Sequence, residues 1–245
     1  MTCRPDTDLR FLAECEADDL EILVDLLCGK PGDLRVAQTF AGTAKYERYY
    51  PDRLQKCTQE IATELQTFGG NTIANTLRGG HGVPYCEILG DVCGKVGAKT
   101  TGSMSTEEKE RALLFHLLEQ SMQKMSQEER NALLDGLKIK GTNFAKQGVA
   151  AALQAAVIQG GFASYQVAVI VANAVAKAVL GRGLTFGANA ALTRAIGVCA
   201  GPIGWIVTGL WTIVDLAGPA YRVTIPSCVH IAYMRAKFEQ SQKRT

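Results

Sequence analysis

The stretch from residue 147 to residue 221 carries almost no charge. Its only charged side chains are Lys177, Arg182, Arg194 and Asp215, set among residues dominated by Ala, Gly and Val. So long and apolar a run must be removed from water, because exposing apolar surface is unfavourable. Either the segment packs against the rest of the protein or it enters a membrane. This choice constrains the fold more than any other feature.

The charges of the chain are distributed unevenly, although the net charge is only +2. Residues 1–146 carry 18 Lys and Arg against 22 Asp and Glu, a balance of −4, whereas residues 147–245 carry 8 against 2, a balance of +6. A cationic, apolar tail suits an anionic membrane surface, or an acidic partner such as the head itself. The small total charge argues against nucleic acid as a partner.

Helical periodicity runs through the first half of the chain. Leucines recur at helical spacing between residues 9 and 27, and the pattern predicts a third helix over 51–67 and another over 83–96. Two capping boxes, which begin at Ser105 and Ser126, predict two further helices before residue 140. The chain is therefore predicted to be all-α, a multi-helix bundle with a Gly/Ala-rich apolar C-terminal helical hairpin.

Composition divides the sequence into three parts. Residues 1–97 form an N-terminal helical module with the motif FGG…LRGGHG, residues 105–140 an amphipathic helical connector, and residues 142–245 the Gly/Ala-rich helical region. Gly and Pro interrupt helices. We therefore expect the tail to break at Gly160-Gly161, Gly181–Gly183 and Gly201-Pro202.

The best bilayer-length piece of the tail is Ala195–Val214, whose 20 uncharged residues would span about 30 Å as a helix. Gly197 and Gly201 form a G-x-x-x-G pair, which permits close helix contact in a membrane. Trp205 and Trp211 are the only tryptophans of the chain. These four residues are the membrane-inserting candidates. The alternative is a soluble core, since Asn and Gln side chains are spread through the segment before this one.

Arg78, His81 and Tyr85 are candidates for a partner surface. They lie in or just after a segment in which two Gly pairs, at residues 69–70 and 79–80, allow sharp turns and close backbone approach. For the same glycines, the sequence favours tight helix–loop–helix packing over a ligand-binding cradle. The sequence matches neither a Walker loop nor a dinucleotide fingerprint there, so a phosphate-binding role is not favoured.

Asp215 and Arg222 are predicted to form a structural ion pair, since a break at Gly218-Pro219 would bring them together. Catalysis has no comparable support, because three His and scattered acids assemble into no nucleophile–base set or paired carboxylates. The one tight His/Cys group, at residues 81–93, matches no usual zinc spacing. We therefore expect neither an enzyme nor a cofactor or metal site.

Three stretches of the chain resemble motifs of a bacterial family. The YaaW-like proteins carry motifs similar to LRFLAECEADDLEILVDLL, ELQTFGGNTIANTLRGGHGVPYCEILGDV and GPIGWIVTGLWTIVDLAGPAYRVTIP. That family is linked by similarity to ubiquinol–cytochrome c chaperones. The resemblance implies an α-helical fold and a role with membrane-protein partners, and it supplies no catalytic residues.

Two functions of different classes follow as expectations. The first is a non-enzymatic cytoplasmic protein, peripheral to or inserted in the inner membrane. It would perturb the membrane or form pores in stress or defence, with anionic lipids as partners and a possible homo-oligomer in the membrane. The second is a soluble assembly chaperone or adaptor that binds a protein client. The charge-free run with paired glycines favours the first.

Overall fold

Helices make up the architecture throughout the part of the chain that the computed structural model describes. That part comprises residues 5–29, 40–70, 82–139, 148, 151, 153–155, 157, 161–185, 190–214 and 220–243, without the side chains of 69–70, 190–191 and 205–214. No strand occurs in these ranges, which confirms the predicted all-α class.

The α-helices are numbered here in chain order. They are α1 (Ala17–Cys28), α2 (Ala44–Tyr49), α3 (Thr58–Gly70), α4 (Tyr85–Val96), α5 (Thr106–Met122), α6 (Gln127–Gly136), α7 (Gly161–Leu180), α8 (Ala190–Val214) and α9 (Tyr221–Gln242). Two 3-10 helices, Thr7–Glu14 and Leu54–Cys57, precede α1 and α3. The third predicted helix is therefore a short 3-10 turn that continues into α3.

The centre of the bundle is formed by α7 and α9. All twelve residues from Val223 to Met234 of α9 are buried, and most of α7 is buried as well. Helix α7 packs against α8 and α9, while α1, α4 and α5 pack against α9. One core cluster contains residues from all of these helices. The apolar tail thus supplies much of the interior of the fold.

Local sequence signals set several helix ends. Ser105 Oγ accepts a hydrogen bond from Glu108 N at 3.2 Å, and Glu108 Oε2 accepts one from Ser105 N at 2.7 Å. The second predicted capping box, at Ser126, is also formed. Helix α7 begins at Gly161 and is followed by Gly181, and both glycines have positive φ, a conformation that costs glycine little. The break predicted at Gly181–Gly183 is confirmed. Of the break predicted at Gly160-Gly161, the structure shows that α7 begins at Gly161, whereas Gly160 lies outside the described residues.

The break predicted at Gly201-Pro202 is wrong. Helix α8 runs without interruption through Pro202. A proline inside a helix removes one backbone hydrogen bond, here the one from residue 202 to the carbonyl of residue 198, and its ring crowds that carbonyl. Helix α9 likewise runs through Pro226, which follows Ile225, so a glycine before the proline is not required for a helix to continue.

Candidate functional site

The membrane-inserting candidates lie on α8. Gly197 and Gly201 are exposed, and a Cβ built on either glycine would meet no other atom within 4 Å. Trp205 and Trp211 belong to the same helix, but their side chains lie outside the described residues. The G-x-x-x-G pair therefore faces outward and mediates no helix contact with the described part of the fold.

The partner-surface candidates do not form one described surface. Tyr85 is fully buried, at 0% exposure, so the expectation that its ring lies on the surface is wrong. It is the first residue of α4 and points into the bundle because that end of the helix is covered by the N-terminal segment. Arg78 and His81 lie outside the described residues, as does Asp215, so the predicted ion pair with Arg222 stays a prediction.

Helix α7 is long and apolar enough to cross a membrane, and it is the one such helix in the described ranges. Its mean hydropathy is 1.5, yet 72% of that apolar window is buried inside the protein. Core helices of soluble proteins pass the same test of length and composition.

The polar side chains of α7 are satisfied by the protein itself. Gln166 donates a hydrogen bond to the carbonyl of Gly136 at 3.2 Å. Asn173 Oδ1 accepts one from the amide of Leu184 at 2.9 Å, in the turn that follows the helix. Both side chains are buried, where an unpaired amide would be costly. These contacts fit α7 to the interior of a folded bundle.

A buried ionic cluster joins four elements around Tyr85. Arg235 of α9 donates to Glu110 of α5 at 2.7 Å and to the carbonyl of Asp8 at 2.6 Å. The Tyr85 hydroxyl donates to the other Glu110 oxygen at 2.8 Å. Burial raises the pKa of Glu110 to about 7, although the Arg235 guanidinium acts in the opposite direction. The cluster fixes α4, α5, α9 and the N-terminal 3-10 helix relative to each other.

Further cations of the C-terminal half bind acids near the N-terminus. Lys237 donates to Asp19 at 2.8 Å, and Arg182 donates to Glu21 at 3.0 Å and to Asp25. Asp19 and Asp25 are almost fully buried, so both carboxylates need such partners. The acidic head is thus a partner of the cationic tail, one of the two roles expected from the charge asymmetry.

A groove runs along the outer side of α5. It has a volume of roughly 500 Å³ and is lined along α5 by residues that share one face of the helix: Glu108, Arg111, Ala112, Phe115, His116, Glu119 and Gln120. Gly97, Lys99 and Met104 line it from the segment between α4 and α5, and Gln154 and Val157 from beyond α6. We call this feature the α5 groove.

The α5 groove combines a half-buried apolar strip with charged residues. Phe115 is half-buried against the core. Glu108 and Glu119 lie about 16 Å apart along the helix axis, because an α-helix rises 1.5 Å per residue. His116 is held by a 2.9 Å hydrogen bond between its Nε2 and the carbonyl of Val96. That carbonyl can only accept, so Nε2 carries the proton and His116 is positioned structurally. The groove can bind apolar side chains, but it presents no assembled catalytic set.

Sequence reasoning identified the buried face of α5 but missed the groove on the opposite face. The leucines at 113, 114, 117 and 118 recur at helical spacing in the sequence, and all four are buried. Phe115 lies between these leucines in the sequence but on the opposite face of α5. An aromatic residue on that otherwise polar face was the one sequence signal that could have indicated the groove. The second wall comes from residues about forty positions later, which no local pattern connects to α5.

Comparisons with known proteins identify the family. A model described as ubiquinol-cytochrome C chaperone matches residues 55–229, and a model described as a domain of unknown function (DUF3944) matches residues 4–36. A UPF0174 protein of Helicobacter pylori (strain J99 / ATCC 700824) is 43% identical over 99% of this chain and 96% of its own length. The UPF0174 protein YaaW of Escherichia coli (strain K12) is 31% identical over 97% of each chain.

A second UPF0174 protein of the same Helicobacter pylori strain is 41% identical over 80% of this chain and 95% of its own length. No solved structure matches the chain. The matches to complete relatives span nearly every described element, from the N-terminal 3-10 helix to α9. The chain belongs to the UPF0174 family, and its residues 55–229 belong to the family that the ubiquinol-cytochrome C chaperone model describes.

Proposed function

We propose that this protein is a non-enzymatic assembly chaperone or adaptor whose client is a protein with apolar, membrane-associated segments. The observation that carries the proposal is the chaperone-family match over residues 55–229. All the residues that line the α5 groove fall within that range. The position of α7 in the bundle interior adds support. Its side-chain amides are hydrogen-bonded within the bundle, which favours α7 as a core helix over α7 as a membrane span.

The α5 groove is the proposed client site. Its half-buried apolar strip offers area to an apolar client side chain, and its volume is in the range of small binding sites. Arg111 and Glu119 supply charges of both signs, which favour orientation and specificity more than affinity. Arg78 and His81 remain further candidates for a client contact, and an Arg78→Ala variant would test them by client capture.

Site-specific photo-crosslinking in living cells tests this proposal. A photoreactive amino acid replaces Gln120 in the groove of the full-length protein, and the matched control carries it at Asn131, an exposed position on α6. We expect discrete adducts with membrane proteins from position 120 and none from position 131. Equal labelling from both positions, or no adduct from position 120, would contradict the proposal.

Two charge-reversal variants then test whether client capture depends on the groove or on surface charge in general. Arg111→Glu changes the groove, whereas Lys124→Glu changes an exposed cation just beyond the end of α5. Arg111→Glu should lower the yield of the position-120 adducts several-fold, and Lys124→Glu should leave it unchanged. Parallel circular dichroism and urea unfolding establish that both variants keep the fold.

Membrane association is the second candidate function, and the outward-facing glycines of α8 favour it. Gly197 and Gly201 leave that face open, as a helix that associates in a bilayer would require. This candidate places the protein at the cytoplasmic face of the inner membrane, where anionic lipids meet the cationic tail. Flotation with anionic liposomes and dye release test it. Failure to float would exclude lipid association, and flotation without leakage would exclude pore formation.

A further inference from the structure

A line of polar side chains runs along the face of α9 that meets α1. Ser227, His230, Tyr233 and Lys237 follow each other at intervals of three or four residues. The first three are buried, whereas Lys237 is partly exposed. The line therefore leads from solvent into the core along the surface on which α1 is docked. Among the titratable groups of this line, His230 lies furthest along α9 from Lys237.

The hydrogen bonds of His230 define the protonation state of its ring. It is 1% exposed, and its Nε2 lies 2.8 Å from the carbonyl oxygen of Asp19 in α1. A carbonyl only accepts, so Nε2 must carry the proton. Nδ1 is buried and has no hydrogen-bond partner among the residues that the structure describes. A proton added to Nδ1 would find no acceptor in its present surroundings.

The groups around His230 do not supply that acceptor, and the buried Ser227 hydroxyl, one turn earlier on α9, forms no hydrogen bond with Nδ1. The two Asp19 carboxylate oxygens already accept from the Tyr233 hydroxyl at 3.2 Å and from Lys237 at 2.8 Å. Lys237 also binds Glu16, at the N-terminal end of α1, at 2.7 Å, and it opposes a positive charge on the ring. From α7, Tyr165 is one of the groups that raise the pKa of Tyr233.

We propose that His230 is a pH-sensitive latch between α9 and α1, which holds α1 when its ring is neutral and loosens it when the ring is protonated. The latch is independent of the proposed client site. Six buried aliphatic residues keep α1 docked at neutral pH: Leu20, Ile22, Leu23, Val24, Leu26 and Leu27. The latch therefore acts on a local opening equilibrium of the segment and does not detach it completely.

The direction and size of the effect follow from proton linkage. Burial lowers the pKa of His230, more than the nearby Asp19 raises it. In the open state the imidazole regains a pKa of about 6.5, so the open state binds the additional proton and docking weakens as pH falls below that value. If the docked ring stays neutral, the opening constant rises by about 25-fold between pH 7 and pH 5.

Hydrogen exchange of the α1 amides in the full-length protein, corrected for intrinsic exchange rates, measures this opening. His230→Gln keeps an N–H donor for the Asp19 carbonyl but cannot be protonated. For each protein, the opening constant of α1 at pH 5 is divided by the opening constant at pH 7. This ratio should be about 25-fold larger in the wild type than in His230→Gln. The matched control is His116→Gln, whose imidazole also binds a carbonyl but lines the distant α5 groove, and it should keep the wild-type ratio.

Equal ratios in the wild type and His230→Gln, within threefold, would overturn the latch. If His230→Gln fails to fold, NMR of the imidazole protons in the unmodified protein provides the decision. The His230 signals should not shift between pH 7.5 and about pH 6, because the docked ring remains neutral there. A titration midpoint at or above about 6.5 would equally overturn the proposal.

Discussion

Replacing Gly183 with alanine tests whether α7 is fixed inside the bundle by its polar side chains. Gly183 lies in the turn after α7, and a Cβ at this position would overlap Oδ1 of Asn173. That oxygen accepts the hydrogen bond from Leu184 N at 2.9 Å. The added methyl therefore forces either the Asn173 side chain or the turn to move. In both cases the buried amide of Leu184 loses its acceptor.

The expected loss is modest but measurable. Leaving a buried N–H unsatisfied costs about 1–3 kcal/mol, and a crowded methyl adds a cost of about the same size. The alanine also restricts the unfolded chain, which returns about 0.4–1 kcal/mol. We therefore expect Gly183→Ala to lower the free energy of unfolding by about 3 kcal/mol. Urea denaturation should show a lower midpoint and an unchanged m-value.

A double-mutant cycle attributes the loss to the Asn173 contact. Asn173→Ala alone removes the acceptor and should cost about 1–3 kcal/mol. In that background the methyl at position 183 has no oxygen to meet, so Gly183→Ala should change stability by less than about 0.5 kcal/mol. Strict additivity of the two substitutions would refute the reasoning. It would show that Asn173 does not hold the turn.

Gly197→Ala is the matched control, because this glycine lies within a helix and has open space around it. No atom lies within 4 Å of a Cβ built there. Alanine should raise the free energy of unfolding by about 0.5–1 kcal/mol, through helix propensity alone. Gly201→Ala should gain less, because a Cβ before Pro202 meets the proline ring. Destabilisation by Gly197→Ala would mean that this face of α8 is packed, contrary to the structure.

Three further predictions concern the polar contacts. Tyr85→Phe removes the hydroxyl that donates to Glu110 and should cost about 1–3 kcal/mol in urea unfolding, with an unchanged circular dichroism spectrum. Burial raises the pKa of Glu110 to about 7. The stability that this group contributes is therefore complete below about pH 4.3, the pKa of an unfolded glutamate, and is lost as pH rises towards 7. Glu110→Gln should flatten that part of the stability–pH profile. Arg182→Ala leaves the Tyr50 hydroxyl as the remaining side-chain partner of the buried Asp25 carboxylate among the described residues, and it should cost about 1 kcal/mol. Salt at about 0.5 M should not abolish this effect, as it would for an exposed pair. A salt-sensitive loss would place this pair at the surface instead.

Local signals in the sequence were sufficient for the fold class and for many helix ends. Capping boxes and glycines act within a few residues of the positions they control, so Ser105, Ser126 and Gly181 could be interpreted without any tertiary information. The charge asymmetry similarly indicated that the acidic head could bind the tail. It could not indicate which residues pair, because Lys237 and Asp19 are 218 positions apart.

Contacts between distant segments account for the failures. Tyr85 follows a polar, glycine-rich segment and was placed on the surface. The structure buries it, because Glu110 of α5 satisfies its hydroxyl and Asp6 binds its backbone amide at 2.7 Å. Pro202 was expected to end a helix, but α8 runs through it, as α9 runs through Pro226. The α5 groove has walls from three separate segments, so its existence depends on packing that periodicity does not encode.

The energetics of α7 bear on which helix a membrane would accept. Moving α7 into lipid would exchange buried apolar surface for equally apolar surroundings, but it would strip Gln166 and Asn173 of their protein partners at a cost of several kcal/mol. We therefore hypothesise that any membrane insertion uses α8. Both tryptophans of the chain lie on α8, so adding anionic vesicles should shift their emission to shorter wavelength and make it quenchable by brominated lipids. Flotation of the protein with unchanged, unquenched tryptophan emission would refute insertion through α8.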